Sequence, residues 1–189
     1  MANKELFGGA ITTYIPENFI DVSDIREVPD NQEVFVNIDT DQSIIIEILQ
    51  YVGDLNEDEK AIRHHFASIA SDNNAEEYNS IQQIITLTTS DVPNLSLEIS
   101  KYLLSGQQTI SKFNESDPNS RNLVNIFMAL FRLPNIETDI VITYNIPILI
   151  GITSSSKQIA QEGNLHEGME VFKRILVNFE IKNWELFNE

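Results

Sequence analysis

The sequence predicts a mixed α/β (α+β) protein, a mostly antiparallel β-sheet sandwiched by helices on both faces. Three observations carry this expectation. Residues Leu123 to Leu133 are apolar on both faces, with Leu123, Phe127 and Phe131 alternating against Val124, Ile126, Met128 and Leu130. Such a strand is central and covered on both sides. Leu133-Pro134-Asn135 then turns the chain, and Ile140, Ile142, Tyr144 and Ile146 alternate as an antiparallel return strand. Elsewhere the apolar period lengthens to that of a helix, at Ile62, His65, Phe66 and Ile69, and at Leu165, Met169, Phe172, Leu176 and Phe179.

In chain order, Phe7 to Ile15 reads as a first strand ended by Pro16, with Gly8-Gly9 supplying backbone freedom or close packing at its start. A short helical turn is expected over Ser23 to Arg26. Pro29 closes it, because a proline disfavours helix in the residue before it. Glu33 to Ile38 is a second strand. Ile45, Ile48, Leu49 and Val52 keep i, i+3, i+4, i+7 spacing and predict a helix over 42–52. A further helix opens at Asn56 as N-cap, with Glu59 at the capping-box position. From Ile81 to Thr88 the period is two. Leu97–Leu104 and Gln107–Phe113 read as a hairpin about Ser105-Gly106, with a helix over 95–104 as the alternative. Gly151 to Gly163 is loop or weak helix, Asn164 caps the last helix, and Trp184, Leu186 and Phe187 pin the tail. At 189 residues with no dividing linker, residues 1–189 are expected to form one domain.

Charge and composition remove several function classes. Against 29 acidic residues stand 12 basic ones, a formal net charge of −17. Binding to phosphate backbones or anionic membranes rests on clustered Lys and Arg, so neither nucleic acid nor membrane is an expected partner. A basic protein partner is favoured instead. The chain has no cysteine, which excludes disulfides and thiolate chemistry. The first residues lack the apolar region of a secretory signal, and no apolar run reaches membrane-spanning length. The expected location is nucleus and cytoplasm.

No catalytic, metal or cofactor site is expected. His65 falls on a helix's apolar face as a core histidine and His64 is turned away, without HExxH spacing. Glu57-Asp58-Glu59 suits a first helical turn, where the macrodipole favours carboxylates. Gly8-Gly9 lacks a P-loop pattern, and no serine sits in a GxSxG elbow. The segment Asp21 to Val36 is different. It gathers charged and amide side chains around Pro29 and runs straight into a β-branched and aromatic strand, as a scaffold does when it presents a recognition loop. Asp30 and Glu33, three residues apart across the expected turn, are read as pointing to one side at the sheet rim, with Arg26 bracing them or making its own contact.

Those residues also carry a resemblance. Leu6-Phe7-Gly8-Gly9-Ala10-Ile11, Asp21-Val22-Ser23-Asp24-Ile25-Arg26 and Val28-Pro29-Asp30-Asn31-Gln32-Glu33-Val34-Phe35-Val36 resemble the MOG family of Ran-binding nuclear import factors, also called Ran guanine nucleotide release factors. Ala129-Leu130-Phe131-Arg132-Leu133-Pro134, with Thr138-Asp139-Ile140-Val141-Ile142, is similar to that family's paired strands, and the helix start at Thr40-Asp41-Gln42-Ser43-Ile44-Ile45 also fits. Residues 54–109 resemble it only weakly. The resemblance implies a fold similar to the photosystem extrinsic P subunit, binding to the small GTPase Ran, promotion of nucleotide release and a role in nuclear import. It places Ran-binding acidic residues on Asp30 and Glu33, with Asp24, Arg26 and Gln32 as neighbours. The expected protein is a monomeric regulator without cofactor. The alternatives are a scaffold or interaction subunit that binds no GTPase, and a hydrolase using carboxylates or His64/His65.

Overall fold

The computed structural model describes residues 3–53, 58–110, 118–155 and 162–188. Its strands and helices are β1 (Lys4–Leu6), β2 (Ile11–Thr13), β3 (Ile20–Asp21), β4 (Gln32–Asn37), β5 (Gln42–Gln50), α1 (Asp58–Asp72), β6 (Asn79–Thr86), β7 (Ser100–Ile110), β8 (Asn122–Leu133), β9 (Thr138–Leu149), α2 (Leu165–Asn178) and β10 (Glu180–Ile181). The main sheet runs β3-β4-β5-β9-β8-β7-β6 and a small one runs β1-β2-β10. Every pairing is antiparallel. The α+β sandwich expected from the sequence is the observed architecture.

The two faces of β8 explain the layers. Phe127, Ala129 and Phe131 enter the core that holds Phe172, Ile175 and Leu176 of α2. Val124, Ile126, Met128 and Leu130 enter the core that holds Ala61, Ile62 and Phe66 of α1. Alternation along one strand therefore feeds both cores, and burying each such side chain contributes roughly 1.5–3 kcal/mol. The α2 N-terminus is as expected: the Asn164 side chain accepts from the His166 and Glu167 N–H groups. The small sheet closes over the α2 layer, where the Thr13 hydroxyl donates to the Ile175 carbonyl at 2.7 Å.

Three expected elements are corrected. Residues 42–50 are not helical but form β5, between β4 and β9. Ile48 packs toward the α2 core and Leu49 toward the α1 core, so the apparent helical stripe is split between opposite layers. A β-branched strand with apolar side chains on both faces imitates helical spacing by chance. The hairpin about Ser105-Gly106 is also absent, because β7 passes straight through Gly106 opposite Ile126. Gly106 is there for close approach. A Cβ at this position would lie 2.6 Å from the Phe66 ring of α1, the strand use of glycine that a turn reading misses.

The first strand is likewise two short ones. Phe7, Gly8 and Gly9 lie at φ 49°, 65° and 90° and turn the chain between β1 and β2. Leu186 and Phe187 pack against the α2 core as expected, while Trp184 remains about half exposed. The expected cap at Asn56 lies outside the described residues, as does the 111–113 end of the second hairpin arm.

Candidate acidic interface at the sheet edge

The charged segment lies at one edge of the main sheet, between the two-residue strand β3 and β4. Its shape comes from local hydrogen bonds. The Asp21 carboxylate accepts from the Ser23 N–H at 3.0 Å and from the Ser23 hydroxyl at 2.6 Å, opening a single helical turn at Val22–Asp24. Lys4 Nζ lies 3.3 Å from Asp21. Burial raises the Asp21 pKa, but the Ser23 bonds and Lys4 outweigh it and hold the carboxyl below its ordinary value. Farther on, the Gln32 N–H donates to the Pro29 carbonyl at 2.9 Å, which closes the turn carrying Asp30 and Asn31. Asn31 ties that turn to β5 by donating its side-chain amide to the Ile48 carbonyl at 3.1 Å.

The expected site residues are thus brought to one sheet edge but not to one face. Asp24, Arg26 and Asp30 are exposed, while Gln32 and Glu33 are partly buried. Successive residues of a strand point to opposite sides. Gln32 donates to the Glu47 carboxylate at 2.7 Å, in the groove beside α1 that Arg26 also lines. Glu33 turns the other way and accepts the Phe7 N–H from the β1–β2 turn. Arg26 therefore does not brace Glu33, and no ion pair joins it to Asp30 or Glu33 among the described residues.

Glu33 links a strained turn to the sheet edge. Phe7 occupies the left-handed region, an uncommon conformation for a non-glycine residue, and its N–H is the one Glu33 holds. Burial raises the Glu33 pKa, and nearby Asp21 adds to this. The Phe7 bond and Lys4 oppose it without cancelling it. A carboxyl whose folded pKa is raised stabilises the fold fully below its unfolded value and loses that contribution as pH rises through the folded one. Glu33→Gln keeps an acceptor for Phe7 and removes the buried charge. Its melting temperature is expected to exceed that of the wild type at pH 7, with the advantage vanishing below about pH 4.5. Thermal melts across that range check the sign.

The histidines sit elsewhere. His65 is 5% exposed, and its Nε2–H donates to Asp139 at 2.9 Å. The Asp139 carboxylate also accepts from Arg132 Nε at 3.1 Å and from the Val52 N–H at 3.2 Å. Burial alone would raise the Asp139 pKa; the bonds from His65, Val52 and Arg132 reverse the sign and lower it. Arg132 further donates to Asp58 of α1 at 3.0 Å and to the Val52 carbonyl at 2.7 Å. This cluster fastens α1 and the segment after β5 to the β8–β9 pair. His64 is exposed. Among the described residues no group of three or more His, Asp or Glu side chains is placed to hold a metal ion.

Sequence reasoning missed Lys4, Phe7 and Glu47 as parts of the edge. Phe7 is 26 positions from Glu33, and the contact runs through its backbone N–H, which every non-proline residue carries. Glu47 was hidden by the helical reading of β5.

An antiparallel sheet clasped by two helices, with carboxylates displayed on an edge turn, makes this an α+β protein with an acidic rim. The chain belongs to the Mog1 family: the model described as "Ran-interacting Mog1 protein" matches residues 4–147. That span includes 54–109, where the resemblance of individual motifs is weak. A Danio rerio protein called Ran guanine nucleotide release factor is 42% identical over 156 residues, covering 82% of each chain. A Saccharomyces cerevisiae protein called nuclear import protein MOG1 is 29% identical, covering 99% of this chain and 86% of its own. The crystal structure of the Saccharomyces cerevisiae Ran-binding protein Mog1p superimposes with a TM-score of 0.73 at 28% identity, over 99% of both chains.

Proposed function

We propose that this chain binds the small GTPase Ran and promotes release of its guanine nucleotide, in support of nuclear protein import, acting in the nucleus and cytoplasm as a monomeric, non-catalytic regulator. Residues 1–189 serve as a single Ran-binding domain that needs no cofactor of its own, with Asp30 and Glu33 as the principal contacts and Asp24, Arg26 and Gln32 beside them. The observation that carries this reading is Glu33. Its carboxylate is kept partly buried at the sheet edge, against the cost of desolvation, next to the exposed Asp30. Groups retained at a cost to stability are expected at functional or strained positions, and Glu33 stands beside the exposed acidic turn.

The chemistry suits a GTPase, which holds its phosphates with a lysine and Mg²⁺, both cationic. Carboxylates docked beside that site compete for the cation or favour an opened switch region, and nucleotide affinity falls. The shift is set by the difference in affinity for the nucleotide-bound and nucleotide-free states. The hydrolase alternative loses support because His65 is committed to Asp139 inside the fold.

Stopped-flow release of a fluorescent guanine nucleotide from Ran is the test. Wild-type protein is expected to accelerate release in proportion to its concentration until Ran is saturated. An unchanged release rate would overturn the release activity, and calorimetry of the same pair separately tests binding.

A further inference from the structure

The α1 face of the main sheet is only partly covered. α1 packs over β7, β8 and β9, and beside it a groove of about 540 Å³ remains open over β5, running to the Arg26 and Gln32 side of the acidic edge. Ile45, Ile69 and Val124 supply apolar walls. Glu47, Asp72 and Asp41 line the groove, and among the described residues Arg26 is the one cationic side chain lining it. The Glu47 carboxylate is partly buried and takes a neutral amide bond from Gln32, and no Lys or Arg among the described residues forms an ion pair with it.

A partly buried carboxylate with no ion pair among the described residues leaves its charge uncompensated. Burial, the largest cause, raises the pKa of Glu47; the Gln32 bond and the more distant His65 oppose it and Asp72 adds to it. Apolar walls leading to a carboxylate match one side chain above others. Lysine lays its aliphatic stem along apolar surface and delivers a positive charge at the tip.

We infer that the groove between α1 and β5 is a second contact of the same interface, receiving a lysine side chain from a basic segment of Ran, with Glu47 as its acceptor and Asp72 at the mouth. The occupant follows from charge complementarity and from continuity with the edge, since Arg26 and Gln32 border both. This contact rests on the proposed Ran binding and extends it across the sheet to the side opposite Glu33. Edge and groove together straddle β4, so the partner grips the sheet rim from both faces.

Calorimetric titration of Ran with three variants tests the groove separately from the edge. Glu47→Gln keeps the Gln32 bond and removes the charge; Asp72→Lys changes an exposed position whose reversal spares the core; Asp30→Lys/Glu33→Gln alters the edge alone. Glu47→Gln and Asp72→Lys are each expected to weaken Ran binding by about tenfold, with a melting temperature at pH 7 at or above that of the wild type for Glu47→Gln and near it for Asp72→Lys. Groove variants within twofold of wild type overturn the inference, and they do so while the edge reading stands if Asp30→Lys/Glu33→Gln loses affinity. Loss in the groove variants with full binding by the edge variant supports the groove and removes the edge. Wild-type affinity in all three overturns both. Should Glu47→Gln melt early, Asp72→Lys decides the outcome by itself.

Discussion

Replacing Arg132 with alanine is expected to destabilise the protein by about 3–5 kcal/mol in urea denaturation, the cost of leaving a buried charge without its partner. Arg132 is 1% exposed and Asp139 is fully buried. The guanidinium joins β8 to Asp139 on β9, to Asp58 at the start of α1 and to the Val52 carbonyl after β5. It also stacks 4.0 Å from the centre of the Tyr51 ring. Alanine removes all of these contacts and leaves Asp139 with only His65 and the Val52 N–H. The pH dependence gives a second reading. The folded pKa of Asp139 is lowered, so its stabilisation is present above the unfolded value of 3.8 and is lost as pH falls through the folded one. Arg132→Ala should therefore flatten the acid limb of the stability curve. A loss under about 1 kcal/mol would mean that the cluster carries no net stability.

Asp30→Lys combined with Glu33→Gln is expected to reduce Ran affinity at least about a hundredfold, near 3 kcal/mol, in calorimetric titration. The choice at position 33 follows from the structure. Lysine there would deprive the strained Phe7 N–H of its acceptor and set a second cation close to Lys4. Glutamine keeps the acceptor and removes only the charge, so binding is separated from folding. Asp30 is exposed on the turn closed by Gln32 and Pro29 and tolerates full reversal. Raising salt should weaken wild-type binding more than that of the variant, because exposed opposite charges are screened. Affinity within threefold of the wild type would remove Asp30 and Glu33 from the interface.

These two variants separate the interior from the edge. Arg132, Asp139 and His65 set the frame on which β5 and α1 sit, and the acidic turn is displayed at its rim. Stabilising the edge by neutralising Glu33 is expected to cost binding, a conflict between stability and function that is common at recognition sites.

The sequence by itself determined the elements whose burial pattern has a single reading. β8 is apolar on both faces and can only be a central strand, and β9 follows through a proline turn. α2 has one apolar stripe and a side-chain cap. The Pro29 turn announces itself by its charge and its breaker residue. All of these depend on neighbours close along the chain. What only the tertiary structure decided depends on partners far apart. Ile45, Ile48, Leu49 and Val52 keep helix spacing while Ile44, Ile46 and Ile48 keep strand spacing, and β5 becomes a strand because β4 and β9 flank it with open hydrogen-bonding edges. Gly106 marks a turn or a close approach, and Phe66, 40 positions away along the chain and lying 2.6 Å from where its Cβ would be, makes it the second. Asp30 and Glu33 are visible in the sequence, but the face each one takes follows from the strand register of β4 and from Phe7 across the edge. Local periodicity fixes local structure; the direction and environment of a charge are set by whichever distant backbone or side chain is packed against it.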